Sequence, residues 1–200
     1  MKTLDKQKDT RIEILSLAEN LIVERGFNGF SYKDISSVLN IKNAAVHYYF
    51  PSKSDLGVAV IKRATEGFIQ WTNSSRASDK GALEKLEAFF GRYRQSLNCG
   101  QQVCLGGALE TDFRTLPEDM RKETTNFVSQ ILGWLENLLN EGRETGVFSF
   151  SGEPKDAAVV VMAGLQGALQ MARATDPDCL DAAIRQIKKS LGMCNSYIIH

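Results

Sequence analysis

The segment Ser31 to Leu56, SYKDISSVLNIKNAAVHYYFPSKSDL, constrains this chain more than any other, because it crowds three helix starts and two helix stops into one short run. Ser31 is a capping residue with Asp34 three positions on, a capping-box pattern, and Ile35, Val38 and Leu39 are the apolar positions of the helix it opens. That helix stops at Leu39 and Asn40, since Asn tolerates the left-handed backbone that a sharp helix-to-helix turn requires, and Ile41 can tuck into the shared core. A second helix starts at about Lys42 and runs from Asn43 to Tyr49, until Pro51 disfavours helix at Phe50. Ser52 and Asp55 repeat the capping pattern and open a third helix at once.

Two short helices about a tight turn form a DNA-reading pattern. Small side chains at Ala44 and Ala45 let the second helix approach base edges, and Asn43, His47, Tyr48 and Tyr49 can bond to bases or phosphates. Ser31, Tyr32 and Lys33 at the start of the first helix are further candidate contacts, and Lys42 and Lys53 supply charge against the phosphate backbone. Ile41, Val46 and Phe50 are read as core instead. Upstream, Thr10 to Glu13 suggests a capping box, Ile14, Leu15, Ala18, Leu21 and Ile22 share one helical face, and Gly26 is a stop. The expectation is a helical head over residues 1–63 and a second domain over 64–200.

The formal net charge of the 200-residue chain is zero, which alone argues against a strongly basic nucleic-acid protein. The average hides an asymmetry. Residues 1–63 hold ten Lys and Arg against seven Asp and Glu, and the remainder 14 against 17, so the positive charge lies on the candidate reading end.

The run Asn40-Ile41, Val46, Tyr49-Phe50-Pro51-Ser52-Lys53 and Leu56, with Gly26-Phe27, Phe30 and Ser31 before it, resembles the N-terminal domain of the TetR family of bacterial transcriptional regulators. The resemblance covers about the first third of the chain. It departs from the family at Asn40, where Gly is usual, at Ala44 and Ala45, where Gly and Ser or Thr are common, and at His47, where Tyr is common. Those positions lie on the reading face, so operator sequence does not carry over. The resemblance implies a dimeric repressor on a near-palindromic operator, released by a small molecule bound among the central helices.

Beyond the head, apolar positions at helical spacing mark a long helix from Lys53 through Trp71 to a loop at Asn73-Ser74-Ser75, and helices over Gly81 to Leu97 and Leu105 to Phe113. Another runs from Pro117 to a stop at Glu141-Gly142, and two more open at Pro154 and Pro177. The fold class is therefore all-α with about nine helices. The Pro154 to Arg173 helix is apolar or small nearly all round, which indicates burial on more than one side and is read as a homodimer face; the family resemblance implies that the last two helices of each subunit make it. A large monomer core is the other way to cover it.

Trp71, Phe89, Tyr93, Phe113, Phe127 and Trp134 are candidate walls of an effector pocket, although each singly reads as core. Cys104 is a sharper candidate sensor. The segments Val103 to Gly107, Leu116 to Arg121, Asn140 to Glu144 and Phe150 to Pro154 resemble the TetR subgroup that includes the repressor of N-ethylmaleimide reductase. Members of it respond to electrophiles or oxidants through cysteine. Cys104 precedes a short helix, whose exposed N–H groups favour a thiolate, and Cys99 is close enough in sequence to resolve an oxidised Cys104 as a disulfide. A buried inert thiol is the alternative. Cys179 and Cys194 have no comparable context.

His47 and His200 are the only imidazoles. One lies on the reading helix and the other at the tail, so no His-based triad or metal site is expected, nor any cofactor or enzymatic activity. A helical adaptor would account for the body but not the head. The N-terminus has no apolar signal segment, and the run Ala157 to Ala163 is too short to span a bilayer, so a cytoplasmic protein without a membrane partner is expected.

Overall fold

The computed structural model describes residues 2–77, 80–98 and 104–193. Among them are nine α-helices and no strand: α1 (Lys2–Arg25), α2 (Tyr32–Val38), α3 (Asn43–Tyr49), α4 (Lys53–Ala77), α5 (Ala82–Asn98), α6 (Leu105–Asp112), α7 (Glu118–Glu144), α8 (Pro154–Ala174) and α9 (Asp178–Ser190). Short 3-10 turns occupy Phe27–Gly29 and Phe113–Thr115. Cys99, Cys194 and His200, and with them the expected resolving thiol, lie outside the described residues.

Four local expectations are corrected. Thr10 and Glu13 do not cap a helix, because α1 already begins at Lys2; no Pro or Gly interrupts the run of helix-compatible residues before them. Asn73, Ser74 and Ser75 lie inside α4 rather than in a loop. The hydroxyls of Thr72 and Ser74 donate to the carbonyls of Ile69 and Trp71 at 2.9 and 2.7 Å, which lets these residues sit in a helix. Gly142 does not stop α7, which continues to Glu144 and ends before Gly146 at φ 73°. A Cβ on Gly142 would stand 1.9 Å from Phe148 Cδ2, so this glycine is a packing site for the Phe148 ring. Finally, Val38 is not core: it is 68% exposed at the end of α2.

The chain divides into two compact units, one of residues 1–68 with 105–128 and the other of residues 69–104 with 129–200. The border drawn from sequence at 63/64 is a single cut, whereas these units interleave, because α6 packs on α1 and on the 3-10 turn at Phe27–Gly29. In the first unit Ile14, Ile22, Ile35, Val46, Leu56, Ile61, Leu109 and Met120 are buried together with Phe27, Phe30 and Phe50. Gly57 lets the end of the Met120 side chain lie close against α4, where a Cβ would meet Met120 Sδ at 2.4 Å. Arg63 of α4 donates to Glu19 of α1 at 2.6 Å, tying the long helix to the first.

In the second unit α8 packs on α9 and α5. Ala158, Val161, Leu165, Ala168 and Leu169 supply its inner stripe, and Leu180, Ile184 and Ile187 that of α9. Lys85 reaches Glu141 at 2.9 Å, Arg94 reaches Asp181 at 2.7 Å, and Lys188 pairs with Glu87. By length and composition α8 as a whole is apolar enough to cross a membrane. Its inner stripe, however, is buried in this unit, while Val159, Val160 and Met171 remain 49%, 65% and 53% exposed.

Candidate nucleic-acid interface

The turn between α2 and α3 has the geometry its sequence requires. Asn40 adopts φ 52°, the only left-handed non-glycine residue among those described, and the Ile41 N–H donates to Ser36 O at 3.0 Å, closing the end of α2 in the six-to-one pattern of a Schellman motif. Ile41 is half-buried. At the other end of α2, the Ser31 N–H and hydroxyl both donate to Asp34 Oδ2 at 2.7 Å. These bonds, with Arg25 3.7 Å away, hold the Asp34 carboxyl below the usual carboxylate range. Ser52 and Asp55 repeat the arrangement at the head of α4, with Asp55 N–H donating back to Ser52 Oγ at 3.1 Å. A cap of this kind contributes about 1 kcal/mol, a useful fraction for the seven-residue α2, which cannot stand alone.

Burial sorts the candidate contacts on α3. Val46 is fully buried, whereas Asn43, Ala44, His47 and Tyr48, at positions i, i+1, i+4 and i+5, are exposed on one face. Tyr48 is 73% exposed, and its ring meets that of the half-buried Tyr49 edge-on at 5.3 Å. Ala45 is half-buried at the edge of that face, and Ser31, Lys33 and Lys42 are exposed beside it at the starts of α2 and α3. His47 lies against the Tyr32 ring at 4.6 Å, with Nδ1 3.3 Å from Pro51 O.

Two of the expected contacts are otherwise engaged. Tyr32 is buried, and its hydroxyl donates to Phe50 O at 2.8 Å, pinning the start of α2 to the end of α3. Burial, with a smaller contribution from Asp55, pushes the phenol pKa up to about 12. The Lys53 ammonium donates to the carbonyls of Phe27 and Phe30 and sits 4.6 and 4.3 Å from the centres of their rings. Its burial lowers the lysine pKa, against the opposing influence of Asp34. Tyr32 thus ties α2 to the end of α3, and Lys53 ties the start of α4 to the turn before α2.

Arg11, Asn28, Asp112 and Thr115 were not singled out from the sequence. The Arg11 guanidinium lies 5.2 Å from the centre of the Phe50 ring. The Phe27 N–H donates to Asp112 Oδ2 at 2.7 Å and Asn28 Nδ2 to Thr115 Oγ1 at 2.8 Å. No local pattern could have found the last two bonds, since their partners lie more than eighty positions apart.

The six candidate pocket residues fall in different units. Trp71, Phe89, Tyr93 and Trp134 form one cluster in the second, with ring centres of Trp71 and Trp134 at 5.2 Å, Phe89 and Trp134 at 5.3 Å, and Phe89 and Tyr93 at 5.4 Å. The Arg92 guanidinium covers Trp71 at 4.9 Å. Phe113 and Phe127 belong to the first unit, the former 37% exposed and the latter buried. Cys104, half-buried and not in a disulfide, immediately precedes α6.

The family model described as "Bacterial regulatory proteins, tetR family" matches residues 14–60, and that described as "Tetracyclin repressor-like, C-terminal domain" matches residues 82–187. The chain is 28% identical to the HTH-type transcriptional repressor NemR of Escherichia coli K12, over 91% of this chain and 94% of that protein. A TetR-family regulator from Agrobacterium tumefaciens superposes with a TM-score of 0.88 at 28% identity, covering 92% of this chain and 98% of that one. A TetR regulator from Legionella pneumophila does so with a TM-score of 0.80 at 33% identity, covering 90% and 95%.

Proposed function

The chain belongs to the TetR family of bacterial transcriptional regulators, and on that premise we propose that it is a repressor that binds a near-palindromic operator as a dimer and lets go when an effector engages its body. The observation that carries the reading is the exposed face Asn43, Ala44, His47 and Tyr48 on a helix whose opposite side buries Val46 and half-buries Ala45 and Tyr49. Asn43 can bond adenine in bidentate fashion, while Lys33 and Lys42 neutralise phosphate. The apolar strip Val159, Val160 and Met171 on α8 supports a homodimer, since a charged solvent-facing helix would not leave such a strip bare. Two heads would then read half-sites about 34 to 36 Å apart, or a multiple of that.

Operator selection from a random duplex library, followed by binding at several salt concentrations, tests the reading. Lys42→Ala is expected to weaken every sequence alike and reduce the salt slope by about one, whereas Asn43→Ala relaxes preference at one base pair by about 1 to 3 kcal/mol. Absence of any salt-sensitive, sequence-selective binding by the intact chain would overturn it.

The NemR likeness favours an electrophile acting at Cys104, and the aromatic cluster at Trp71 and Trp134 a non-covalent ligand. Thiol gating requires that Cys104→Ser keep operator affinity and lose release by an electrophile such as N-ethylmaleimide. Release of the Cys104→Ser variant at the same dose would leave the non-covalent route. By either route the effector must bind one body state better than the other, and a preference of about 1 to 3 kcal/mol changes occupancy several-fold or more.

A further inference from the structure

We infer that Asp112, more than sixty positions after the reading helix, is a positioning residue for DNA recognition; the inference rests on the operator-binding reading above. The turn from Gly26 to Phe30 leads directly into the cap of α2 and is held from two sides. Lys53 takes the carbonyls of Phe27 and Phe30. Asp112, the last residue of α6, takes the Phe27 N–H at 2.7 Å, and Thr115 in the following 3-10 turn takes the Asn28 amide at 2.8 Å. The carboxylate sits close against a bare α-carbon: Gly26 is at φ 75°, and a Cβ there would lie 2.7 Å from Asp112 Oδ2. Every polar group of the Phe27 peptide is thus satisfied by a residue that is distant in sequence. Because Ser31 caps α2 immediately after the turn, and Tyr32 joins α2 to the end of α3, the placement of the turn sets the placement of the reading face.

Without Asp112 the Phe27 N–H loses a charge-assisted acceptor, and a larger share of molecules holds the turn elsewhere; apparent affinity falls in proportion to the share correctly placed. Asp112→Ala is expected to bind a selected operator about tenfold more weakly, with an unchanged salt slope because no phosphate contact is removed. Asp112→Asn, whose amide oxygen can still accept from Phe27, is expected to restore most of the affinity. Asn28→Ala, which loses only the bond to Thr115, is expected to show a smaller loss than Asp112→Ala. Hydrogen exchange on the intact, DNA-free protein supplies a readout independent of binding: the Phe27 amide is slow in the parent chain and fast in Asp112→Ala. Parent-like affinity of Asp112→Ala, failure of Asp112→Asn to rescue, or a Phe27 amide that already exchanges fast in the parent would overturn the inference. A parent chain that binds no operator but keeps a slow Phe27 amide would instead overturn the operator reading.

Discussion

The α2–α3 pair and the α8–α9 pair hold together by different means. Helices of seven residues bury little, and polar ties reinforce them: Tyr32 joins α2 to Phe50 at the end of α3, while Lys53 and Asp112 hold the turn that leads into α2. The 21 residues of α8 and 13 of α9 have enough apolar length to pack on each other by side-chain burial, and α8 keeps an apolar face in reserve. Hydrogen bonds fix the orientation of short helices, whereas long helices offer enough area to hold together by burial.

The sharpest way to break this contrast is in the head core. Phe50→Ala is expected to destabilise the first unit by about 3 to 5 kcal/mol, because it removes a buried ring and the partner of Arg11, and to abolish operator binding in proportion. Denaturant unfolding followed in parallel with operator binding checks it.

Next comes Val160→Asp on the exposed strip of α8. It is expected to leave the subunit folded but to weaken self-association at least about tenfold, by placing a charge where an apolar contact should form. Sedimentation at several concentrations reads the effect, and an unchanged association constant would mean that this strip is not the interface.

Tyr32→Phe gives the smallest change, about 1 kcal/mol at neutral pH from one lost hydrogen bond. It also sharpens the comparison through pH. The folded-state pKa of Tyr32 is raised above the ordinary 10.0 to about 12, so its contribution is complete below the lower value and is lost as pH rises through the interval. The parent chain should therefore lose more head stability across that interval than Tyr32→Phe does. Equal losses would show that the buried phenol does not titrate as its surroundings imply.

Much of the head was legible because its signals are local. Ser31 with Asp34, Ser52 with Asp55, the left-handed Asn40 and the stop before Pro51 each depend on neighbours within four residues, and each is formed. The buried face of α1, made of Ile14, Leu15, Ala18, Leu21 and Ile22, followed from helical periodicity in the same way. The roles of Tyr32 and Lys53 were harder to read: a tyrosine or lysine beside a reading helix is chemically fit for phosphate, and only the positions of Phe50 O, Phe27 O and Phe30 O show where their donors go. Gly142 was misread for a similar reason, since a glycine near the end of a helix signals a stop unless an outside ring needs the space.

The amino-acid order by itself determined the all-helical class, the helix-turn-helix grammar and the exposed face of α3, because capping, left-handed turns and amphipathic period are properties of short stretches. Only the tertiary structure decided that α6 and the start of α7 cluster with the head and that Asp112 holds the turn before α2. Those pairings join residues more than sixty positions apart, where no local preference acts and the partner is chosen by which surfaces packing brings together.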